Sequence, residues 1–500
     1  MFQFINIHLA SDAKPSDPQT RKRIRKQAML ASAKMARKRR EKNPQFIFKL
    51  HTPVENAGEG SSSKQTMAIR PAASSSKTIE KSKYGDVLTL GVENPFPLLP
   101  WLYNDPGSGR RNPFVRYPIA MSLKTHAIID TLFNDPSGGF CPFREFWYPA
   151  SLTDPAAFHQ TLSNICTNLA AQHPDDEETP KLSVIHHSLA IRSVSERLND
   201  FQPNEAAGII TTVLSLAAHS NITANYPGFV SHMDAISRIA QLAGGIKAIP
   251  LAKQTRLLVF LVEVNGITRK DEYPRLPMPV DLIPSSDEFL PPGWSRKDPI
   301  TLPDPLQSVI RAEDIELSQR LRDLYRLGAV LNFNFSARRM VWDETKISAA
   351  CISPLLQGLL MLRPEAVDVE DPLSALREAV RIAALIALAP VRRGLGTFEV
   401  FSDALVGKLQ DLLCQHLQPG NISEAVASRA PLIFWLLMTG AVQAVETEHA
   451  LWFRQWIFEC SGILDIRGWL SARSLLAEIF WIDEVHTPPG MVVWAEVRAI

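Results

Sequence analysis

After a Pro/aromatic stretch from Asn94 to Pro118, the apolar positions of this chain recur mainly with helical spacing to its C-terminal end. The sequence Thr153-Asp154-Pro155 predicts the first helix start, because a capping side chain precedes a proline that would lie in the first turn. Apolar residues then follow every three or four positions, at Phe158, Leu162, Ile165, Cys166 and Leu169. This spacing places them on one face of a helix, so we expect that face to pack against a core.

Comparable helical patterns cover most of the remaining chain. They span Leu182–Leu198, Glu205–Ala218, Phe229–Leu242, Leu251–Val264, Ala312–Val330 and Pro372–Leu388, and then run in succession from Phe398 to Glu496. Nine of the 32 residues from Pro274 to Pro305 are prolines. This proline density is incompatible with a long helix or strand, so we predict an irregular segment. Alternating strand patterns are almost absent. The sequence therefore predicts an all-α fold, with one large multi-helix domain at residues 94–500, built in two halves around a Pro-rich crossover at 270–305.

The N-terminal 93 residues do not show this pattern. We divide them into a short apolar patch at residues 1–20, a basic arm at 21–42 and a Ser-rich linker at 43–93, which carries the tetrapeptide SSSK twice. Because such a linker cannot bury enough apolar surface to offset the entropy lost on ordering, we predict that it is disordered. The arm has only a thin apolar seam, so it is expected to become helical only against a partner.

The overall composition indicates a reduced, soluble protein. Apolar residues make up 45% of the 500 positions, which is enough for a sizeable core. The five cysteines are far apart and odd in number, so neither a disulfide framework nor a zinc motif is predicted, and we expect an intracellular chain. The longest uncharged apolar run, Ala430–Val445, has 16 residues, whereas a bilayer span needs roughly 18 to 20. We therefore predict no membrane partner and no signal peptide.

The basic arm concentrates positive charge in one short segment. Arg21–Lys42 contains eleven Lys and Arg residues and one acid, Glu41, which gives a net charge of +10 in 22 residues. The rest of the chain has 42 basic and 51 acidic residues, a net charge of −9. This separation indicates that the arm binds a polyanion or the acidic groove of a receptor.

Three interpretations of the arm remain open. Arg25-Lys26 and, ten residues later, Arg37-Lys38-Arg39-Arg40 match the two-cluster spacing of a bipartite nuclear import signal. Alternatively, the same side chains contact DNA phosphates, which gives salt-sensitive and largely sequence-independent binding. The third interpretation is a solvated charged tail without a dedicated partner. For the first two, the candidate residues are Arg21, Lys22, Arg23, Arg25, Lys26, Arg37, Lys38, Arg39 and Arg40.

No catalytic or cofactor motif is recognisable, since the sequence contains no P-loop, dinucleotide fingerprint, nucleophile elbow or paired-histidine zinc motif. Four weaker groupings are Asp175–Glu178; His186-His187; Cys414 with His416; and Trp481, Asp483, Glu484 and His486. We interpret them, in that order, as an interhelical loop, a packed helix, an amphipathic helix, and a helix end that is stopped by Pro488-Pro489 and held by charge pairs. The sequence thus predicts no catalytic residue, no metal ligand and no cofactor, and a protein that is not an enzyme.

Four stretches together resemble a known family. They are FQFIN followed by RKRIRKQAMLASAKMARKRR near the N-terminus, HMDAISRIAQLAGGIKAI (His232–Ile249), PLIFWLLMTGAVQAV (Pro431–Val445) with Trp452-Phe453 after it, and LLAEIFWIDEVHTPPGMVVWAEV (Leu475–Val497). In them the chain resembles the fungal-specific transcription-factor regulatory domain, in a subgroup that lacks the N-terminal binuclear zinc cluster. It departs from the family in two ways. The first 140 residues contain no cysteine, and the segment Leu257–Lys270 lacks the expected Trp/Asp pair.

The resemblance implies a nuclear transcriptional regulator. Its arm would bind an import receptor and contact DNA phosphates, and its body would bind coregulators, a small molecule or a second copy of the chain. One alternative is a helical interaction scaffold or co-regulator without DNA binding. The other is an all-α enzyme of secondary metabolism, with a pocket between the two halves lined by carboxylates or a histidine pair. His232 is expected to be a hydrogen-bonded core residue, and Gly244-Gly245 to end its helix.

Overall fold

The computed structural model describes the helical body of the chain. The described residues are 116–134, 143–173, 175–291, 293–294, 300–336, 345–368, 371, 373–395, 400–415, 417–418, 421–422, 428–445 and 447–499. By their internal contacts they belong to one unit, Gly107–Ile500. The apolar patch, the basic arm, the linker and the first 22 residues of the predicted body lie outside the described residues.

The predicted all-α fold is confirmed for the described part of the chain. Its helices of seven or more residues, α1 to α15 in chain order, are Leu123–Asn134, Pro155–Gln172, Glu178–Asn199, Ala206–Ile222, Tyr226–Leu242, Lys253–Ile267, Ile315–Ser336, Ser353–Met361, Ser374–Ala387, Ala389–Leu395, Asp403–Cys414, Ala430–Ala444, Ala450–Ile463, Trp469–Ile479 and Asp483–Val497. Shorter helical turns are Phe143–Trp147, Tyr148–Ser151, Pro203–Glu205, Thr268–Lys270, Asp287–Phe289, Asp304–Gln307, Thr345–Ile347 and Ser348–Ile352. The strands of this part form a two-residue antiparallel hairpin, β1 Leu417–Gln418 with β2 Asn421–Ile422.

The start of α2 follows the sequence prediction. The Asp154 carboxylate accepts the backbone N–H groups of Ala156 and Ala157 at 2.9 and 3.0 Å, and proline occupies the first turn. The same carboxylate also bonds Arg197 of α3 at 2.7 Å and the hydroxyl of Thr212 of α4 at 3.3 Å. One side chain therefore fixes the beginning of α2 against both of its neighbours.

The end of α5 also follows the prediction. Gly244 and Gly245 have φ angles of +84° and +106°, a region that glycine enters without steric cost. The Gly245 N–H donates to the Ala240 carbonyl at 2.7 Å, and the Gly244 N–H donates to the Gln241 carbonyl at 3.1 Å. These two bonds form a Schellman motif, which ends the helix.

Helices α2 to α5 pack together near the start of the described body. Helix α2 packs against α3 and α4, and α4 packs against α5. The segment that follows α6 is irregular apart from single turns, as its proline content predicts. Its beginning is held by Glu263 of α6, which accepts the backbone N–H groups of Arg275 and Leu276 at 2.7 and 3.2 Å.

Helix α12 is central in the second half. It contacts α9, α11, α13, α14 and α15, and it is apolar along almost its whole length. Trp435, in its first half, is fully buried and donates its indole N–H to the carbonyl of Phe480 at 2.8 Å. An indole buried with its donor satisfied adds a large contact area without a desolvation cost, so this residue anchors α12 to the end of α14.

The prediction that Pro488-Pro489 stops a helix is wrong. Both prolines lie inside α15, which runs from Asp483 to Val497. The backbone of the next residue, Gly490, lies very close to two tryptophan rings. A Cβ at this position would come within 2.7 Å of Trp469 and 2.9 Å of Trp481. Close contact with two indole rings holds this helix in place, and tertiary packing outweighs the local preference of proline.

Among the described helices, none is long and apolar enough to cross a membrane.

Candidate functional site

The main grouping of titratable side chains with unusual surroundings lies between helices α2 to α5. We call it the histidine cluster. Its members are His159 on α2, His186 and His187 on α3, His219 on α4 and His232 on α5.

His159 and His186 form the first pair of the cluster. Their Nδ1 atoms are 2.9 Å apart, and their rings stack with centroids 5.1 Å apart at 26°. One ring donates to the other, which requires that at least one Nδ1 is unprotonated. Burial lowers the pKa of both side chains from 6.5 to about 4, and for His186 the neighbouring His159 lowers it further. The pair is therefore neutral at physiological pH.

His187 and His219 form the second pair. Their ring centroids lie 4.6 Å apart with 30° between the planes. Each ring also bonds α2 through Nδ1: His187 with Gln160 Oε1 at 3.0 Å, and His219 with Asn164 Oδ1 at 3.1 Å. Because Gln160 and Asn164 are one helical turn apart, they hold the two rings side by side.

His232 lies next to the second pair but is bonded differently. Its side chain is half-buried, and it has no hydrogen-bond partner among the described residues. The expectation of a hydrogen-bonded core residue is therefore wrong. Burial lowers the pKa of His232, and the proximity of His187 lowers it further. The pKa of His219 falls to about 4, mainly through burial and in part through His187 and His232.

The five rings can act as nitrogen ligands or as proton acceptors at acidic pH. Burial is the first cause of each lowered pKa, and the groups that act on these rings electrostatically are other histidines. Such rings are uncharged near pH 7, so their free nitrogens carry lone pairs. In the described residues, no three His, Cys, Asp or Glu side chains already surround a common point as metal ligands would.

The sequence analysis found only part of this cluster. It predicted that His186 and His187 lie mid-helix on adjacent faces, and the structure confirms this because they contact different partners. It missed His159 and His219, which lie on other helices. The signal that could have found them is a polar ladder on a buried face of α2, where Gln160, Ser163 and Asn164 stand among apolar residues.

Asp175, Asp176 and Glu177 of the acidic run lie between α2 and α3, as predicted, and Glu178 is the first residue of α3. Asp176 accepts the N–H of Glu178 at 2.9 Å and the hydroxyl of Thr179 at 2.5 Å, so it caps the start of α3. Cys414 is exposed at the end of α11, while His416 lies outside the described residues.

The group near the C-terminus is structural. His486 is buried and uses both ring nitrogens: Nδ1 accepts the N–H of Ile482 and Nε2 donates to the carbonyl of Ala387, each at 2.9 Å. Asp483 pairs with Arg473 of α14 and accepts the hydroxyl of Thr487 at 3.0 Å. The predicted charge pairing of this group is therefore present.

A buried ion network joins the end of α6 to helices that follow the proline-rich segment. Arg381 of α9 is 2% exposed and bonds Asp271, just after α6, at 2.6 and 2.8 Å. It also bonds Glu378 at 2.7 Å, and Lys408 of α11 lies 2.6 Å from both carboxylates. Arg363 is a third base, 4.0 Å from the Asp271 carboxylate, so the two buried acids are paired with nearby cations that hold α9 and α11 to the end of α6.

A shallow surface cavity of about 210 Å³ lies at the C-terminal end of α13, next to Asp465, Arg467 and Arg498. It is smaller than the roughly 300–1,000 Å³ of most small-molecule sites.

The histidine cluster and the ion network are thus two of the buried polar groupings in the described body. The nine candidate residues of the basic arm lie outside the described residues. Comparison of the chain with protein-family models, with curated proteins and with solved structures finds no match in any of the three.

Proposed function

We propose that this protein is a nuclear transcriptional regulator. The basic arm carries nuclear import and contacts DNA phosphates, and the all-α body is its regulatory and interaction domain. The observation that carries the proposal is the separation of charge, with +10 in the 22 residues Arg21–Lys42 and −9 elsewhere. The cationic segment attracts an anionic partner. The mildly acidic body does not attract nucleic acid, so non-specific binding is limited to the segment.

The body supports this role by its architecture. It is all-α in its described part, and α9, α11, α13, α14 and α15 pack around the buried α12. The sequence resembles the fungal-specific transcription-factor regulatory domain in two stretches that the structure describes as helices, Pro431–Val445 and Leu475–Val497. In both stretches, the shared residues are tryptophans and apolar side chains that pack helices against one another. The resemblance therefore supports a regulatory domain with a similar helical core.

Nuclear import is tested with matched arm variants fused to a fluorescent protein. We expect Arg37, Lys38, Arg39 and Arg40 replaced by alanine to move the protein to the cytoplasm, because the second basic cluster is lost. Arg-to-Lys replacement at the three arginines keeps the charge and should keep nuclear accumulation. Nuclear levels unchanged by the alanine variant would reject the import function.

DNA contact is tested separately by a gel-shift salt series with the full chain. Affinity should fall linearly on a log–log plot of binding constant against salt, with a slope of about −0.9 for each phosphate neutralised. Deletion of Arg21–Lys42 should abolish this binding, and deletion of 22 residues of the Ser-rich linker should not. No binding by the intact chain at low salt would reject direct DNA contact and favour the co-regulator alternative, in which chromatin occupancy depends on a partner protein.

The enzyme alternative has one observation in its favour. It required a pocket lined by carboxylates or a histidine pair, and the histidine cluster contains two such pairs. However, these pairs lie among α2 to α5 of the first half, whereas that alternative placed its pocket between the halves. We therefore keep regulation as the proposed function.

A further inference from the structure

Helix α3 has two lengthwise rows of residues spaced three and four positions apart. The inner row packs toward α2 and is buried; it consists of Thr179, Ser183, His186, Ala190 and Val194. The other row, which we call the outer seam, lies roughly 130° away around the helix, at 100° of rotation per residue. All six of its members are exposed: Lys181, Val184, Ser188, Ile191, Ser195 and Leu198.

The spacing of the outer seam is that of a coiled coil. Its members follow one another at intervals of three and four residues over positions 181–198, about 27 Å of helix. Val184, Ile191 and Leu198 occupy every seventh position and are 65%, 42% and 43% exposed. Three large aliphatic side chains aligned on one exposed face form a surface that is stabilised by burial against a partner.

The small members of the outer seam are compatible with burial as well. The Ser188 hydroxyl donates to the carbonyl of Val184 at 2.8 Å, so it needs no new partner when water is removed. Ile185, which is 52% exposed, widens the apolar surface on one flank of the seam. Large aliphatic and small residues therefore alternate along the outer seam.

This alternation makes the outer seam complementary to its own reversal. We consider a second copy of α3 laid antiparallel, with the two-fold axis between positions 189 and 190. Val184 then faces Ser195 of the second copy, and Ile191 faces its Ser188. Leu198 faces the aliphatic stem of Lys181. A two-fold interface requires such a pattern, because the same patch is used on both subunits and must complement itself.

The charges on one flank agree with the same arrangement. Lys181 and Glu196 project from the flank that carries Ile185, and an antiparallel pair brings these flanks together. Position 196 is about 3 Å along the helix axis from position 198, which faces Lys181. Lys181 of each copy therefore reaches Glu196 of the other copy. A parallel pair would instead place Lys181 opposite Lys181, and like charges repel.

Both of these charges are available for an intermolecular contact. Glu196 is exposed and forms no ion pair within the part of the chain that the structure describes. Lys181 pairs with Glu178 one turn away at 3.2 Å, yet its side chain remains 61% exposed. Exposed pairs of this kind are weak, so Lys181 can exchange Glu178 for Glu196 of a second copy at little cost.

We infer that the outer seam of α3 is an antiparallel homodimer interface, and that its occupant is α3 of a second copy of this chain. The inference goes beyond the proposed function and does not depend on the basic arm. An interface formed by one helix pair of this length lies at the low end of specific interfaces, below about 1,200 Å² in total. The dimer is therefore reversible, with a dissociation constant on the order of 10 µM.

The first test is sedimentation equilibrium of the full chain, from about tenfold below to about tenfold above that concentration. Ile191→Asp should weaken dimerisation at least about tenfold, because it places two carboxylates beside the two-fold axis in a region that loses water. The matched control is Leu470→Asp on α14, where the side chain is 78% exposed, and it should leave dimerisation unchanged. Far-UV circular dichroism checks that each variant folds, and Ile191→Ser replaces a variant that does not.

The second test exchanges the charges that define the antiparallel arrangement. Lys181→Glu and Glu196→Lys should each weaken the dimer about threefold or more, since each substitution creates two like-charge pairs. Both substitutions in one chain, or an equimolar mixture of the two single variants, should restore the wild-type affinity.

Three results would overturn the inference. The first is a chain that stays monomeric over the whole concentration range, which would leave the outer seam to a different protein. The second is a dimer that Ile191→Asp does not weaken, or that Leu470→Asp weakens equally. The third is failure of the charge exchange to restore affinity, which would reject the antiparallel pairing.

Discussion

Acid sensitivity of the fold can be predicted quantitatively from one buried side chain, His486. Its Nδ1 accepts the N–H of Ile482, and its Nε2 donates to the carbonyl of Ala387. Protonation would place an N–H of the ring against the N–H of Ile482 and break that bond. Burial is the main cause that lowers the pKa of His486 from 6.5 to about 4. The unfolded chain therefore takes up a proton at a pH where the folded chain does not.

The magnitude follows from the difference between the two pKa values. The stabilising contribution is complete above pH 6.5 and is lost as the pH falls toward 4. Between pH 7.5 and 5.0, linkage gives a loss of about 2 kcal/mol in the free energy of unfolding from this residue alone. His486→Gln offers an acceptor and a donor but cannot titrate, so its stability should fall by about 2 kcal/mol less over the same interval.

The assay is urea unfolding of both proteins at several pH values, followed by tryptophan fluorescence and by circular dichroism. Coincidence of the two transitions is the control for two-state behaviour. An NMR titration of His486 in the folded wild type supplies an independent check, since the ring should stay neutral at pH 5. If wild type and His486→Gln lose equal stability between pH 7.5 and 5.0, burial does not exclude the proton and the reasoning is refuted.

Three further substitutions test separate features of the body. Burial raises the pKa of Glu263 to about 7, so the wild type should lose on the order of 2–3 kcal/mol between pH 5 and 8, and Glu263→Gln should abolish that loss in urea titrations. Arg381→Leu leaves the buried Asp271 without its main partner and should cost about 3–5 kcal/mol in urea unfolding at pH 7. Gly266→Ala places a Cβ within the ring of Phe229 and should cost about 1–3 kcal/mol, seen as a lower melting temperature.

Matched controls exist for the last two substitutions. Arg467→Leu removes an ion pair with Asp465 that is 86% and 76% exposed, and it should change stability by less than about 1 kcal/mol. Gly462 has no heavy atom within 4 Å of a built Cβ, so Gly462→Ala should be neutral or stabilise by up to about 1 kcal/mol. Equal effects of a substitution and its control would contradict the assigned cause.

Local signals in the sequence predicted the helices well. Asp154-Pro155 and Gly244-Gly245 act through their own backbone and that of residues within one turn, so their effect can be read without knowing the fold. The long α12, apolar on every side, could also be predicted as a buried helix. The exception is Pro488-Pro489, whose local effect is overcome by two tryptophans packed against Gly490.

The polar sites could not be predicted because their partners are distant in the chain. His186 meets a histidine 27 positions away, His219 meets Asn164 across 55 positions, and Arg381 meets Asp271 across 110. Spacing within one helix gives the direction of a side chain but not the helix that faces it. The basic arm shows the opposite case, since its charge is evident in the sequence while its residues lie outside the described structure.

The buried ion network has a practical consequence for dissecting this protein. A truncation that ends in the crossover would keep Asp271 and discard Arg381 and Lys408, its cationic partners. The shortened fragment would then carry an interior anion without a counterion, a defect that water can relieve only by entering the core. Fragments divided at the prolines should therefore aggregate or be degraded, and functional mapping should use cuts ahead of residue 116 or point substitutions in the intact chain.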